Sequence, residues 1–267
     1  MTAIIGFATE EFLIIASDSQ VSYQGEAFKR PGQQKIVDVH FPDSFALVAL
    51  AGDVGVGQLF LEHFEGLAVA GPDTSPRGIA NLAESSLKHV RDKLLNNYFH
   101  ETLGTDASRD YFATIPAEFL LGYYYQREPH IYRLELRSAT AIRCFHPFEA
   151  IGSGANIASM ILSAHDVKKL RSDHIFGLAA YVIEMCKRHD PYCGGRIQIG
   201  VLGNASPLVP PFFFPEKVRK TFEEAANAVE QVMSAKLVEE IAAKYHELAE
   251  LYKMRVTLED PKDRPSA

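Results

Sequence analysis

The sequence predicts an α+β domain in which antiparallel sheets are covered by helices. Three observations carry that reading. Apolar runs of strand length cluster at the start of the chain and again in its middle. Each cluster is followed by a pair of helical patterns, and strands and helices come in blocks instead of alternating. Blocks of this kind indicate sheets with helices packed on their faces, whereas alternation would indicate a parallel βαβ sheet.

In chain order, Ala3–Ala8 and Phe12–Ala16 are apolar runs separated by Glu10 and Glu11, which predicts a tight hairpin. A polar loop follows over about 22–34, bearing Gly25, Pro31 and Gly32. Lys35–His40 and Ser44–Ala51 read as the next two strands. Apolar residues then recur every three or four positions over about 57–69 and 77–99, the period of an amphipathic helix. The polar stretch 100–116 predicts a loop. Strands return at Glu118–Tyr125, at 130–136, where apolar and polar residues alternate, and at Ala139–Cys144. Helical spacing resumes over 155–164 and 173–188, and Arg196–Leu202 reads as a last strand. Pro207-Leu-Val-Pro-Pro forms a turn leading to Phe212-Phe-Phe. A long amphipathic helix is expected over about 216–253, with a disordered tail at the end. Its apolar stripe runs through Val218, Phe222, Val229, Leu237, Ile241 and Leu248, and its distal half is suited to pack against a neighbouring subunit.

Composition narrows the class of protein. With 267 residues, 47% hydrophobic and 23% charged, the chain is long enough to bury a large core. A net charge of −7 without a basic block argues against nucleic-acid and anionic-membrane partners. Cys144, Cys186 and Cys193 are an odd, widely spaced set that suits a reducing cytosol. The N-terminus lacks the basic start of a signal peptide, and no run of apolar residues is long enough to span a membrane. A cytoplasmic protein is expected.

Several familiar sites fail on spacing. Gly52-Asp-Val-Gly55-Val-Gly57 follows a strand and precedes a helix but does not match GxGxxG, and Gly152-Ser153-Gly154 lacks the outer spacing of a GxSxG elbow. The ten histidines include no close pairs of metal-binding spacing, so neither a metal nor a cofactor is expected. Four features remain: Thr2 opening the first strand, Asp18 closing the second, Lys35 opening the third, and Asp190-Pro-Tyr-Cys193-Gly-Gly195 entering the last. Singly, each has an ordinary explanation as a second residue, a turn residue, a surface charge or a loop.

Together with Ala51-Gly52 and Gly152-Ser153-Gly154, these features occur in the order seen in proteasome β-type subunits, which are N-terminal nucleophile hydrolases. The resemblance covers residues 2–203, leaving 204–255 as a Pro-rich turn plus helical extension and 256–267 as the tail. It implies a four-layer αββα sandwich and a threonine-type peptidase that acts through an acyl-enzyme on Thr2. Only Met1 precedes Thr2, so activation would rest on methionine removal, as in the bacterial relatives of the proteasome.

The resemblance also implies a role for each residue. Thr2 is the nucleophile, with its own α-amine (pKa about 8 when unperturbed) as base. Lys35 is its electrostatic partner and Asp18 the anchor of that lysine. The amide of Gly52 forms the oxyanion hole. Ser153 and Asp190 hold the amine, and Cys193 stands where the family has a serine. The pocket positions are Val21, Gln33, Leu50 and Val54; three of the four are apolar, which implies an apolar side chain before the scissile bond. The implied partners are a peptide or unfolded-protein substrate, further copies of the chain in a ring or stacked rings, and an ATPase. A non-peptidase amidase or acylase and a non-catalytic subunit that retains Met1 stay open as alternatives.

Overall fold

The apolar runs at the N-terminus form the centre of a sheet. In the computed structural model β1 (Ala3–Ala8) and β2 (Phe12–Asp18) pair antiparallel, with Phe7 opposite Ile14. The described residues are 2–9, 11–22, 29–30, 34–71, 73–98, 117–165, 167, 170, 172–203, 211–213, 220 and 224. The chain divides into two units, Met1–Glu223 and Glu224–Ala267, and the elements below belong to the first. Of the expected C-terminal helix, only Lys220 and Glu224 are described, both helical. The rest of that helix, the 100–116 loop and the tail lie outside the described residues.

The remaining strands are β3 (Val21–Ser22), β4 (Lys29–Arg30), β5 (Ile36–Phe41), β6 (Ser44–Gly52), β7 (Ala117–Tyr125), β8 (Glu128–Glu135), β9 (Thr140–Cys144), β10 (Phe148–Gly152), β11 (Ile197–Gly203) and β12 (Phe212–Phe213). One five-stranded sheet has the order β10-β1-β2-β11-β12 and the other β5-β6-β7-β8-β9, every pairing antiparallel. The helices are α1 (Val54–Val69), α2 (Pro76–Tyr98), α3 (Ala155–Ser163) and α4 (Ser172–His189).

Residue parity shows why the strands are almost continuously apolar. On β2, Leu13 and Ile15 meet Leu47, Ala49 and Leu120 between the sheets, while Ile14 and Ala16 pack with Ala179 and Ile183 of α4. On β6, Ala46 and Val48 join Phe60 and Phe64 of α1 on the other outer face. Both faces of each central strand are covered, so neither face needs polar residues. Three cores separate four layers, which is the expected αββα sandwich. The sheets lie close: a Cβ on Gly122 would fall 2.5 Å from Cδ2 of Leu13, and one on Gly6 would fall 2.7 Å from Cδ2 of Leu120. Among the described residues, no helix is long and apolar enough to cross a membrane.

Three local expectations are corrected. The expected polar loop over 22–34 overlaps the short ribbon β3–β4, each strand two residues long and so below what periodicity can register. Edge strand β10 was not expected, because its five residues carry a glutamate and pair only with β1. Helix α1 begins at Val54 and not near Gly57, since Asp53 is its N-cap and accepts a hydrogen bond from the Val56 amide at 3.0 Å. Gly55 and Gly57 are therefore helical residues, and one of the helix-end amides that could hold an anion already has a partner.

Candidate active site

The seven residues expected to carry chemistry come from six places in the chain and converge at one end of the sandwich. Antiparallel pairing explains this. The start of β1 lies beside the ends of β10 and β2 (Ala3 opposite Gly152, Ile4 opposite Ser17), and the start of β11 lies beside the end of β2 (Ile197 opposite Asp18). Thr2 precedes β1, Asp18 ends β2, Lys35 precedes β5 and Gly52 ends β6. Ser153 follows β10, and Asp190 and Cys193 join α4 to β11.

Asp18 is the hub and is fully buried. Its Oδ1 accepts hydrogen bonds from the Thr2 hydroxyl, from the Ala3 amide at 3.0 Å and from Nζ of Lys35 at 3.0 Å. Its Oδ2 accepts from the amides of Gln20 at 3.1 Å and Gly194 at 3.0 Å. Nζ of Lys35 also donates to Oγ1 of Thr2, so the hydroxyl sits between cation and carboxylate. The Lys35 backbone is held by Oε1 of Gln198 on its amide (2.8 Å) and by the Leu50 amide on its carbonyl (3.1 Å). With only 8% of the Lys35 side chain exposed, burial pulls its pKa below the usual 10.5, while the charge and hydrogen bond of Asp18 pull the other way.

A second group holds the Thr2 backbone. Its carbonyl accepts from the Ser153 hydroxyl at 3.4 Å and from the Gly154 amide at 3.3 Å. Cys193 Sγ lies 3.9 Å from the Ser153 hydroxyl and donates to Oδ2 of Asp190 at 3.2 Å. Burial, reinforced by Asp18 and Asp190, pushes the Cys193 thiol upward, so it stays a thiol at neutral pH and can donate as the family serine would. Burial alone would raise Asp190, but hydrogen bonds from Ser153, the Tyr192 amide and Cys193 outweigh it and leave the pKa below 3.8. Gly152 has φ +86°, and a Cβ there would lie 2.2 Å from the Thr2 carbonyl oxygen, so only glycine lets the strands approach at this point.

Beside Thr2 lies a cavity of about 340 Å³. Thr2, Lys35 and Gly52 line it together with Leu50, Val54 and Val37. Leu50 and Val54 thus fall where the pocket was expected. Gln33 lies outside the described residues, as does the side chain of Val21, whose backbone is in β3. Sequence reasoning missed Gln20, Gln58, Leu61, Glu62 and Glu65 in the lining, and also Gln198 and Glu118. Glu118 accepts from the Gly152 amide at 3.0 Å and pairs with Arg133 at 2.6 Å. The helical spacing 54, 57/58, 61/62, 65 was visible in the sequence, but nothing there marked that face as a cavity wall. Among the described residues, no cluster of three His, Cys, Asp or Glu side chains could hold a metal ion.

Two antiparallel sheets between helix layers, with threonine, lysine and aspartate at one end, define the proteasome-like class of fold. The family model described as "Proteasome subunit" matches residues 2–202, and the chain belongs to that family. Among solved structures it is similar to an Anbu (Gly-1) mutant from Hyphomicrobium sp. strain MC1, with a TM-score of 0.66 and 16% identity over 88% of this chain and 99% of that one. Anbu, an ancestral beta-subunit, from Yersinia bercovieri gives 0.67 and 13% over 88% and 96%. A helical assembly of the Anbu complex from Pseudomonas aeruginosa gives 0.67 and 14% over 90% and 96%. At such identities the likeness is one of fold. No curated protein matches.

Proposed function

We propose that the chain is a threonine-type peptidase whose nucleophile is Oγ1 of Thr2 once Met1 is removed. The observation that carries this reading is the buried contact of Thr2 with both Lys35 and Asp18 in the lining of a cavity. The freed α-amine of Thr2 takes the hydroxyl proton, directly or through one water, as Oγ1 attacks the peptide carbonyl. The Gly52 amide stabilises the oxyanion, and Lys35 favours the developing negative charge on Oγ1. The proton passes to the leaving amine, and the C–N bond breaks to leave an ester on Thr2. Water then hydrolyses the ester and regenerates the hydroxyl. Ser153, Cys193 and Asp190 position the amine through the Thr2 backbone. Several copies of the chain assemble, a reading supported by the helical assembly of the Anbu complex, and an ATPase that delivers unfolded chain would complete it. The test is peptide hydrolysis: Thr2→Ala should abolish it with the fold intact, and Thr2→Ser should keep a part. Undiminished hydrolysis by Thr2→Ala would rule the mechanism out.

A further inference from the structure

We propose that the cavity beside Thr2 selects a long, positively charged side chain, of lysine or arginine type, before the scissile bond. The inference rests on the reading of Thr2 as nucleophile. It departs from the apolar preference expected from Val21, Gln33, Leu50 and Val54, because the cavity extends beyond those positions.

Helix α1 forms one wall. Val54, Gly57, Gln58, Leu61, Glu62 and Glu65 all line the cavity. Their spacing puts them on one face, and at a rise of about 1.5 Å per residue that face runs about 16 Å from Val54 to Glu65. The apolar part of the lining is Val54 and Leu61 of the helix with Leu50 and Val37 of the sheet, while Gln20 and Gln34 add neutral polar groups. Leu50 lies hard against the helix: a Cβ on Gly57 would be 2.0 Å from its Cδ2. The acidic part is Glu62 and Glu65, in the second half of α1. Helical side chains lean toward the N-terminus, so Glu62 and Glu65 lean back toward Val54, and Gln58 Nε2 donates to Oε1 of Glu62 at 3.1 Å.

The wall carries one cation and two carboxylates. Among the described residues lining the cavity, Lys35 is the single cation, and Asp18 and Thr2 engage it. Glu62 and Glu65 are the carboxylates, both in the second half of α1. A lysine or arginine side chain matches this lining, since its methylene stem lies on apolar surface while its head seeks charge. A leucine-type side chain would fill the apolar part and leave both carboxylates without a counter-charge. A glutamate would be repelled.

The experiment uses peptide amides that differ only in arginine, norleucine or glutamate before the scissile bond. They are assayed on the full chain, on Glu62→Gln/Glu65→Gln and on Glu62→Lys/Glu65→Lys. Both positions are exposed on α1, so the variants keep the fold. Arginine should exceed norleucine in kcat/KM by about tenfold, a ratio reached by two exposed charge pairs. The glutamine variant should lose that ratio, the lysine variant should favour glutamate, and high salt should shrink the wild-type preference. The same peptides are titrated against Thr2→Ala by calorimetry, which reads the cavity without turnover. Equal affinity for arginine and norleucine there, or a preference unchanged by Glu62→Gln/Glu65→Gln, overturns the proposal and leaves the nucleophile untouched. Hydrolysis by Thr2→Ala at the wild-type rate overturns the nucleophile, while the order of affinities still decides the cavity.

Discussion

Asp18 shows how a buried carboxylate is made tolerable and useful at once. Five donors surround it, three of them backbone amides, so its charge does not depend on Lys35 alone. Removing one partner of a buried ion pair typically costs about 3–5 kcal/mol. Here the remaining amides soften that loss, and Lys35→Met should lower the unfolding free energy by about 1–3 kcal/mol in a denaturant titration. Hydrolysis should fall much further, by at least about a hundredfold, because the cation leaves the hydroxyl. A lysine serving only as a surface charge would show neither loss. Asp190 supplies a prediction in pH. Its pKa lies below 3.8 in the folded state, so its ionised form contributes stability above that value, and the contribution disappears as pH falls through the lower, folded pKa. The stability gap between wild type and Asp190→Asn should be full near neutrality and close in the acid limb below about pH 4, read by thermal melts across pH.

Helix α1 joins the core to the cavity. Phe60 is fully buried, stacks on Phe64 at 5.4 Å and meets Phe119 of β7 at 4.3 Å between ring centroids, while Leu61 and Glu62 on the next positions face the cavity. Phe60→Ala should cost about 3–5 kcal/mol in a denaturant titration. Activity at permissive temperature should also fall, because the cavity wall moves with the helix. The helices were legible in the sequence, since one polar face leaves a clear period. The central strands were legible as runs, but the face each residue takes was hidden, because Leu13 and Ile14 are both buried, one between the sheets and one under α4. Strand β10 and the ribbon β3–β4 escaped because they are short, and the start of α1 because Asp53 caps a helix whose first turn carries glycine. For the site, type and order of residues carried Thr2, Asp18 and Lys35. Gln198 and Glu118 act through backbone contacts across strands, which no spacing along the chain announces.

At the scale of the whole molecule, the family model ends at residue 202, while the expected helix over about 216–253 carries an apolar stripe longer than a domain of this size needs for its own core. Truncation after Ala235 should lower the assembly state in light scattering, with the fold kept by circular dichroism. Unchanged assembly would show that the helix serves its own domain. In the proposed mechanism one threonine hydroxyl, freed at the N-terminus, does the chemistry. The most direct measurement is intact-mass and peptide-map analysis of the purified full chain after treatment with a threonine-directed covalent proteasome probe. The account predicts a chain lacking one methionine and carrying a single adduct on Thr2, with Cys193 unmodified. A chain that retains Met1 and takes no adduct at Thr2, or takes it at Cys193 instead, would contradict it.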